Sequence, residues 1–209
     1  MKRIKAVIFD CDGVLFDSRQ ANTQYYNHLL AHFHLPPMNP DEEAFVHMHT
    51  AEESVRHIFW DTDCESVAQD YRAKMDYAPF MDDMIVEPGL IPLLKALKPR
   101  FGLAVATNRS NTISDVLRKY GLDGFFHIVL SSLDVLHPKP HPECIHKILS
   151  FFHISPKEAI YVGDSLVDYE TARAAEVFFV AYKNSELNAD QHVSGLMEIA
   201  DLLGIRRKG

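Results

Sequence analysis

Three aspartates and one lysine in this sequence have the side chains needed to hold a metal ion beside a phosphate group. Asp10 and Asp12 flank a single cysteine, Asp164 follows a glycine, and Lys139 stands between two prolines. Carboxylates that lie close together repel one another unless a cation separates them, and hard oxygen ligands favour Mg²⁺. A lysine adds a positive charge for a phosphate oxygen. The set is suited to phosphoryl transfer, with an aspartate as covalent nucleophile.

A further polar pair, Thr107 and Asn108, stands where an apolar run gives way to a helical pattern that opens at Ser110. A hydroxyl, an amide and free backbone N–H groups at such a junction favour an anion. All these candidate residues come from distant parts of the chain. Their chemistry therefore depends on a fold that brings them to one place.

Short apolar runs separated by helical patterns predict that fold. Apolar runs that stop at a polar residue are typical of strands buried on both faces of a parallel sheet. They occupy residues 6–9, 103–106, 127–130, 159–162 and, more weakly, 177–182. Helical patterns occupy residues 88–97, 110–120, 141–152 and 166–175. The alternation predicts an α/β fold with a Rossmann-like, doubly wound parallel sheet, in which ligands bind at the carboxyl ends of the strands.

The stretch from residue 17 to residue 83 breaks this alternation. It contains no strand-like run, and helical patterns fit residues 22–33, 52–60 and 64–81. Residues 17–86 carry 4 Lys/Arg against 13 Asp/Glu, a net charge of −9, whereas the rest of the chain carries 17 against 16, a net charge of +1. We therefore expect an all-helical domain at 17–83, inserted into a core made of 1–16 and 84–209.

Composition excludes several classes of function. A formal net charge of −8 lacks the cationic surface that nucleic acids and anionic membranes require, so neither is an expected partner. No apolar run approaches the roughly 18 residues of a membrane span, and the first apolar run is too short for a signal peptide. Three cysteines without C-x-x-C spacing indicate neither a disulfide framework nor a zinc site, which favours a cytoplasmic location.

Four segments resemble, in order, the four motifs of the haloacid dehalogenase superfamily. They read DCDGVLFDS at residues 10–18, TN at 107–108, KP at 139–140 and GDSLVD at 163–168. Each motif is weak alone, but each ends or closely follows a predicted strand, and the resemblance covers nearly the whole chain. The subgroup it resembles most is the phosphoglycolate phosphatase and β-phosphoglucomutase type, whose small helical cap is similar to the predicted insertion.

The resemblance implies a catalytic role for each matching residue. Asp10 would attack phosphorus and form an aspartyl-phosphate, and Asp12 would protonate the leaving oxygen and then activate water. Lys139 would neutralise the nucleophile and the transferred phosphate. Thr107 and the backbone of Asn108 would bind phosphate oxygens.

The resemblance also implies a Mg²⁺ site. Its ligands would be the carboxylates of Asp10 and Asp164 and the backbone carbonyl of Asp12. Asp168, with Ser165 beside it, would orient Lys139 or a metal-bound water. Two simpler alternatives stay open, because Asp168 early in a helix favours the helix dipole and Ser165 suits a helix cap.

Four residues are candidates for substrate selection. Arg109 replaces the lysine that is common in phosphoglycolate phosphatases, and its planar fork is able to grip a carboxylate or a second phosphate. In the predicted insertion, His47, His49 and Arg56 are candidates to face the substrate. Their alternative is a solvated or packing role.

The implied function is Mg²⁺-dependent hydrolysis of a small phosphorylated metabolite, such as phosphoglycolate or a sugar phosphate, by a monomer or homodimer. Asp12 favours a phosphatase over a dehalogenase, because an alkoxide leaving group needs a proton and a halide does not. A phosphomutase similar to β-phosphoglucomutase is an alternative, although the insertion contains few cations. A non-catalytic metal-binding module is another, and the presence of every expected catalytic residue disfavours it.

Overall fold

The computed structural model describes residues 4–205 and consists of strands and helices that alternate around one long helical segment. In chain order, the strands and α-helices are β1 (Ala6–Phe9), β2 (Phe16–Asp17), α1 (Arg19–His32), α2 (Pro40–Met48), α3 (Ala51–Ile58), α4 (Glu65–Lys74), β3 (Ile85–Val86), α5 (Leu90–Leu97), β4 (Gly102–Ala106), α6 (Ile113–Lys119), β5 (Ile128–Leu130), α7 (Glu143–Phe152), β6 (Ala159–Gly163), α8 (Leu166–Ala174), β7 (Phe178–Tyr182), β8 (Gln191–Val193) and α9 (Met197–Leu202). Short 3-10 helices occupy Ala78–Asp83, Ser132–Asp134 and Pro156–Glu158.

Six strands form one sheet in the order β5-β4-β1-β6-β7-β8, and all five pairings are parallel. β1 lies between β4 and β6, with Phe9 opposite Val105 on one side and Val162 on the other. The carboxyl ends of these three strands are therefore neighbours. The Rossmann-like α/β fold predicted from the apolar runs is confirmed.

Alternating strand residues build an apolar core on each face of the sheet. On β1, Val7 and Phe9 pack with the apolar residues of α5, α6 and α9, whereas Ala6 and Ile8 pack with those of α7 and α8. All four side chains are fully buried. The sheet is thus covered by helices on both faces, which explains why its strands are continuous apolar runs instead of alternating ones.

A two-stranded antiparallel pairing marks the place where the helical segment joins the sheet. Phe16 and Asp17 of β2 pair with Val86 and Ile85 of β3. Residue 17 is the second residue of β2, and residue 83 stands two positions before β3. Between the two strands lie α1 to α4 and the 3-10 helix Ala78–Asp83, and we call residues 17–83 the helical insertion.

Five of the strands and α-helices have no counterpart among the predicted runs and helical patterns: β2, α2, β3, β8 and α9. The Asn39-Pro40 pair starts α2, because Asn39 accepts hydrogen bonds from the backbone of Asp41 and Glu42 and Pro40 occupies the first helical position. Proline is tolerated there because that backbone position has no hydrogen-bond acceptor within the helix. β8 is a three-residue edge strand with two exposed residues, so it lacks an apolar run.

Two further observations concern the described residues. Cys11, Cys64 and Cys144 all carry free thiols. Within residues 4–205, no helix combines the length and the apolar character needed to cross a bilayer.

Leu29 of α1 tests whether the helical insertion contributes to the main core. Its side chain is fully buried in the cluster that also contains α5 and α6. We expect Leu29→Ala to lower the free energy of unfolding by about 2–5 kcal/mol, because the substitution leaves a cavity. Leu136→Ala, at a site 85% exposed, is the control and should change it little. If urea unfolding gives the two variants equal free energies of unfolding, Leu29 does not contribute to the main core.

Candidate active site

A buried lysine joins the polar residues at the carboxyl edge of the sheet. The Lys139 Nζ donates to Asp10 Oδ1 at 2.8 Å, to Asp168 Oδ1 at 2.7 Å and to the Tyr161 hydroxyl at 3.0 Å. Only 4% of the lysine side chain is exposed. Burial alone would lower the pKa of Lys139, but the charges of Asp10 and Asp168 raise it, so the side chain is an ammonium ion.

Asp168 is saturated with hydrogen bonds from the protein. Its Oδ1 accepts from Lys139 and from the Tyr161 hydroxyl at 2.5 Å, and its Oδ2 accepts from the Ser165 hydroxyl at 2.6 Å. Although burial opposes ionisation, Lys139 and these donors hold the pKa of Asp168 below its ordinary value. Ser165 is also the N-cap of α8, with Asp168 as its capping-box partner. The geometry therefore combines the capping and orienting roles that were considered as alternatives.

Asp10 and Asp164 supply the oxygen atoms that fit a magnesium ion. With Asp168, they form a cluster whose carboxylate oxygens lie within 4.8 Å of one another. Burial and the charge of Asp168 raise the pKa of Asp10 to about 7, and the same causes raise that of Asp164 well above its ordinary value. Because a cation would relieve this repulsion and Asp168 is already occupied, the donor set fits Mg²⁺ held by Asp10 and Asp164.

Gly13 leaves the space that the Asp164 carboxylate fills. Its φ of +78° is unfavourable for other residues, and a Cβ at this position would collide with the Asp164 side chain. The turn after β1 thus requires glycine for its conformation and for the close approach of β6.

Asn108 connects three parts of the site. Its side-chain amide donates to the Lys139 carbonyl at 3.0 Å, and its Oδ1 accepts from the Lys139 backbone N–H at 3.0 Å. The same amide donates to the Met48 carbonyl of the helical insertion at 3.2 Å. Beside it, Thr107 Oγ1 accepts from the backbone N–H of Arg109. Asn108 therefore fixes the lysine-bearing loop, a role of its side chain that sequence reasoning did not anticipate.

Arg109 binds both oxygens of the Asp12 carboxylate. Its Nε donates to Oδ2 at 3.1 Å and its Nη2 donates to Oδ1, which also accepts from the Ser18 hydroxyl. Burial alone would raise the pKa of Asp12, but the charge and hydrogen bonds of Arg109 hold it at about 2. Asp12 is thus an ionised carboxylate that accepts two hydrogen bonds from the planar guanidinium of Arg109.

A narrow cavity between the helical insertion and the sheet contains these groups. Its volume of about 60 Å³ leaves room for a small molecule only. Asp10 and Asp12 line one side, and His47, His49 and Tyr77 of the insertion line the other. His47 and His49 therefore lie in the wall of this cavity.

Arg56 does not lie in this cavity, which corrects the expectation that it faces the substrate. It is bonded to Glu52 at 2.8 Å, one turn earlier on α3, and lies 3.6 Å from Glu65. Its side chain is 58% exposed, because Val55 and Ile58 occupy the buried face of α3. The helical period turns position 56 toward solvent.

Arg72 of α4 takes the place in the cavity that Arg56 was expected to occupy. Asn22 and Tyr77 also enter the site, since both approach the Arg109 guanidinium within 3.4 Å. Tyr161 is the single hydroxyl-bearing residue in the apolar run of β6, which is a signal in the sequence, whereas no sequence pattern separates Arg72 from Arg56.

The family of haloacid dehalogenase-like hydrolases matches residues 7–182. The chain belongs to this family. The match spans both the sheet and the helical insertion, and the four motifs of the sequence analysis fall within it. The resemblance inferred from those motifs is confirmed, and the protein is an enzyme of the hydrolase class. Members of this family generally use Mg²⁺.

Three individual proteins are similar to this haloacid dehalogenase-like hydrolase. A phosphoglycolate phosphatase of Chromobacterium violaceum is 30% identical over 97% of this chain and 98% of its own. The pyrophosphatase PpaX of Bacillus velezensis is 28% identical over 83% and 81%. A crystal structure of a subfamily IA hydrolase from Geobacter sulfurreducens has 42% identity and a TM-score of 0.79, covering 96% and 97%.

Substitution of Lys139 tests the charge balance of the buried network. We expect Lys139→Met to lower the free energy of unfolding by about 3–5 kcal/mol, because it leaves Asp10 and Asp168 buried without their cation. The loss should be larger near about pH 8 than near about pH 5, because the unpaired carboxylates take up protons at lower pH.

The matched control is Lys147→Met, at a lysine 46% exposed and paired with Glu143 on the same helix. It should change the free energy of unfolding by at most about 1 kcal/mol. Urea unfolding measures both variants, and equal losses in the two would show that the buried network does not stabilise the fold.

Proposed function

We propose that this enzyme is a Mg²⁺-dependent phosphatase that hydrolyses a small phosphate monoester through an aspartyl-phosphate on Asp10. The proposal rests on the unequal hydrogen bonding of the two oxygens of the Asp10 carboxylate. One of its oxygens is held by the Lys139 ammonium, whereas no hydrogen bond from residues 4–205 reaches the other. A carboxylate that is fixed at one oxygen and open at the other is suited to nucleophilic attack.

The chemistry has two steps. In the first, the open oxygen of Asp10 would form a bond to phosphorus while the bond to the ester oxygen breaks, and that oxygen would take a proton from Asp12, which can carry a proton only after Arg109 has released its carboxylate. In the second, water would attack the phosphorus, give a proton to Asp12 and release phosphate and Asp10. Lys139 neutralises charge on Asp10 and on the transferred group throughout. Thr107 and the backbone of Asn108 would bind the remaining phosphate oxygens.

Asp10 and Asp164, with the backbone carbonyl of Asp12, are the residues that would hold Mg²⁺. When bound, the ion supplies positive charge that offsets the negative charge of the carboxylates and of the phosphate. Asp168 and Ser165 support this arrangement indirectly, because Asp168 positions Lys139 and Ser165 positions Asp168.

The helical insertion would serve as a cap that covers the substrate, excludes water and limits its size. Its support is the cavity, which has one wall from the insertion and one from the sheet. Such a site has no room for a phosphoprotein or a nucleic acid. Free thiols on Cys11, Cys64 and Cys144 support a reducing compartment such as the cytoplasm.

Phosphate release from a panel of phosphorylated compounds tests the function. We expect Mg²⁺-dependent release from at least one of 2-phosphoglycolate, hexose phosphates, nucleoside monophosphates, pyrophosphate and p-nitrophenyl phosphate. Asp10→Asn should lower kcat by at least about 1,000-fold, because it removes the nucleophile.

Asp115→Asn, at a surface carboxylate 62% exposed, should leave kcat unchanged and is the control. Release that persists in the Asp10 variant at the unsubstituted rate would contradict the proposed nucleophile. Absence of release from every member of the panel would contradict the phosphatase function.

A further inference from the structure

Arg109 is a buried cation that engages the residue assigned to proton transfer. Only 5% of its side chain and 12% of that of Asp12 are exposed. Its remaining contacts are neutral: Thr112 Oγ1 at 3.2 Å, and Asn22 Oδ1 and the Tyr77 hydroxyl at 3.4 Å. Asp12 is thus the ion-pair partner of Arg109, and both Asp12 oxygens already accept hydrogen bonds in this arrangement.

The surroundings of Arg109 permit its guanidinium to serve a second anion. Its guanidinium carbon lies 4.8 Å from the centre of the Tyr77 ring, a contact that stabilises the cation without neutralising it. The planar fork that binds the two oxygens of Asp12 has the geometry to bind a carboxylate or phosphate of a ligand equally well. Arg109 lines the cavity, so such a group would reach it from the substrate side.

Arg72 lines the same cavity from the helical insertion, and no ion-pair partner for it lies within the described residues 4–205. Its Nε is buried and has no hydrogen-bond partner, and no carboxylate among residues 4–205 forms an ion pair with it. The Nε2 of His47, in the same cavity wall, is likewise buried without a partner. Buried polar atoms are normally satisfied, so these two indicate a place for a ligand group.

We propose that Arg72 and Arg109 together bind a second anionic group of the substrate, a carboxylate or a phosphate, and that Arg109 exchanges Asp12 for this group when the substrate binds. The exchange removes Arg109 from the oxygens of Asp12 and leaves them free to face the leaving group. A monoester without a second anion lacks the group that draws Arg109 away. The second anion therefore raises kcat as well as affinity. This inference rests on the proposed phosphatase function.

Three substrates that differ in the second group test the inference. They are 2-phosphoglycolate with a carboxylate, pyrophosphate with a second phosphate, and ethyl phosphate with neither. We expect kcat/KM for 2-phosphoglycolate or for pyrophosphate to exceed that for ethyl phosphate by at least about tenfold, the value of one charge-assisted hydrogen bond. The preferred substrate identifies the second group as carboxylate or phosphate.

Variants of both arginines separate recognition from folding. Arg72→Gln should raise KM for the preferred substrate by at least about tenfold more than it raises KM for ethyl phosphate. Arg109→Gln should lower the ratio of kcat for the preferred substrate to kcat for ethyl phosphate toward one, because the second anion no longer has an arginine to draw away from Asp12. Arg109→Lys keeps the charge without the fork and should restore the preference only in part. Arg118→Gln, at a site 69% exposed on α6, is the matched control.

The outcomes distinguish this inference from the function on which it rests. Equal kcat/KM for all three substrates, with Mg²⁺-dependent release, overturns the two-arginine site and leaves the phosphatase function intact. If the Arg72 and Arg109 variants lose kcat/KM equally on all three substrates, the arginines have a merely structural role. That result also overturns the two-arginine site. No release from any of the three or from any other member of the panel that tests the phosphatase function overturns both.

Discussion

The ammonium group of Lys139, buried between Asp10 and Asp168, is the interaction on which the site depends. It brings one carboxylate from the end of β1 and one from the start of α8 into contact, although both are negative and lie within a protein interior. Without this cation the two would repel each other and favour their protonated forms. The neighbouring polar contacts serve this arrangement, since Asn108 holds the backbone of Lys139 and Tyr161 bonds to its Nζ.

Much of the fold was predictable because its strands are buried on both faces. Full burial selects continuous apolar runs, and four of the five runs found in the sequence correspond to the largely buried strands β1, β4, β6 and β7. The fifth run corresponds to β5, an edge strand whose residues are only partly buried. Two of the elements that were missed lack a recognisable pattern for physical reasons. α2 begins at a proline, which is compatible with a first helical turn, and β8 is a short exposed edge strand.

The site was predictable where function depends on residues adjacent to strand ends, as for Asp10 and Asp164. It was not predictable where function depends on the direction of a side chain on a helix. Arg56 and Arg72 are both cations of the helical insertion, but packing turns Arg56 to solvent and Arg72 into the cavity. The pairing of Arg109 with Asp12 joins residues 97 positions apart, and no local pattern encodes it.

The central claim is that Asp10, held by Lys139, accepts the phosphoryl group. Its most direct test is acid quenching of the Mg²⁺-loaded enzyme during turnover of the best substrate, followed by mass spectrometry of the peptides. We expect the added mass of one phosphoryl group on the peptide that contains Asp10, labile to hydroxylamine and absent from the Asp10→Asn variant. Rapid release of phosphate with no phosphorylated peptide at any quench time, or with the phosphoryl group on another residue, would contradict it.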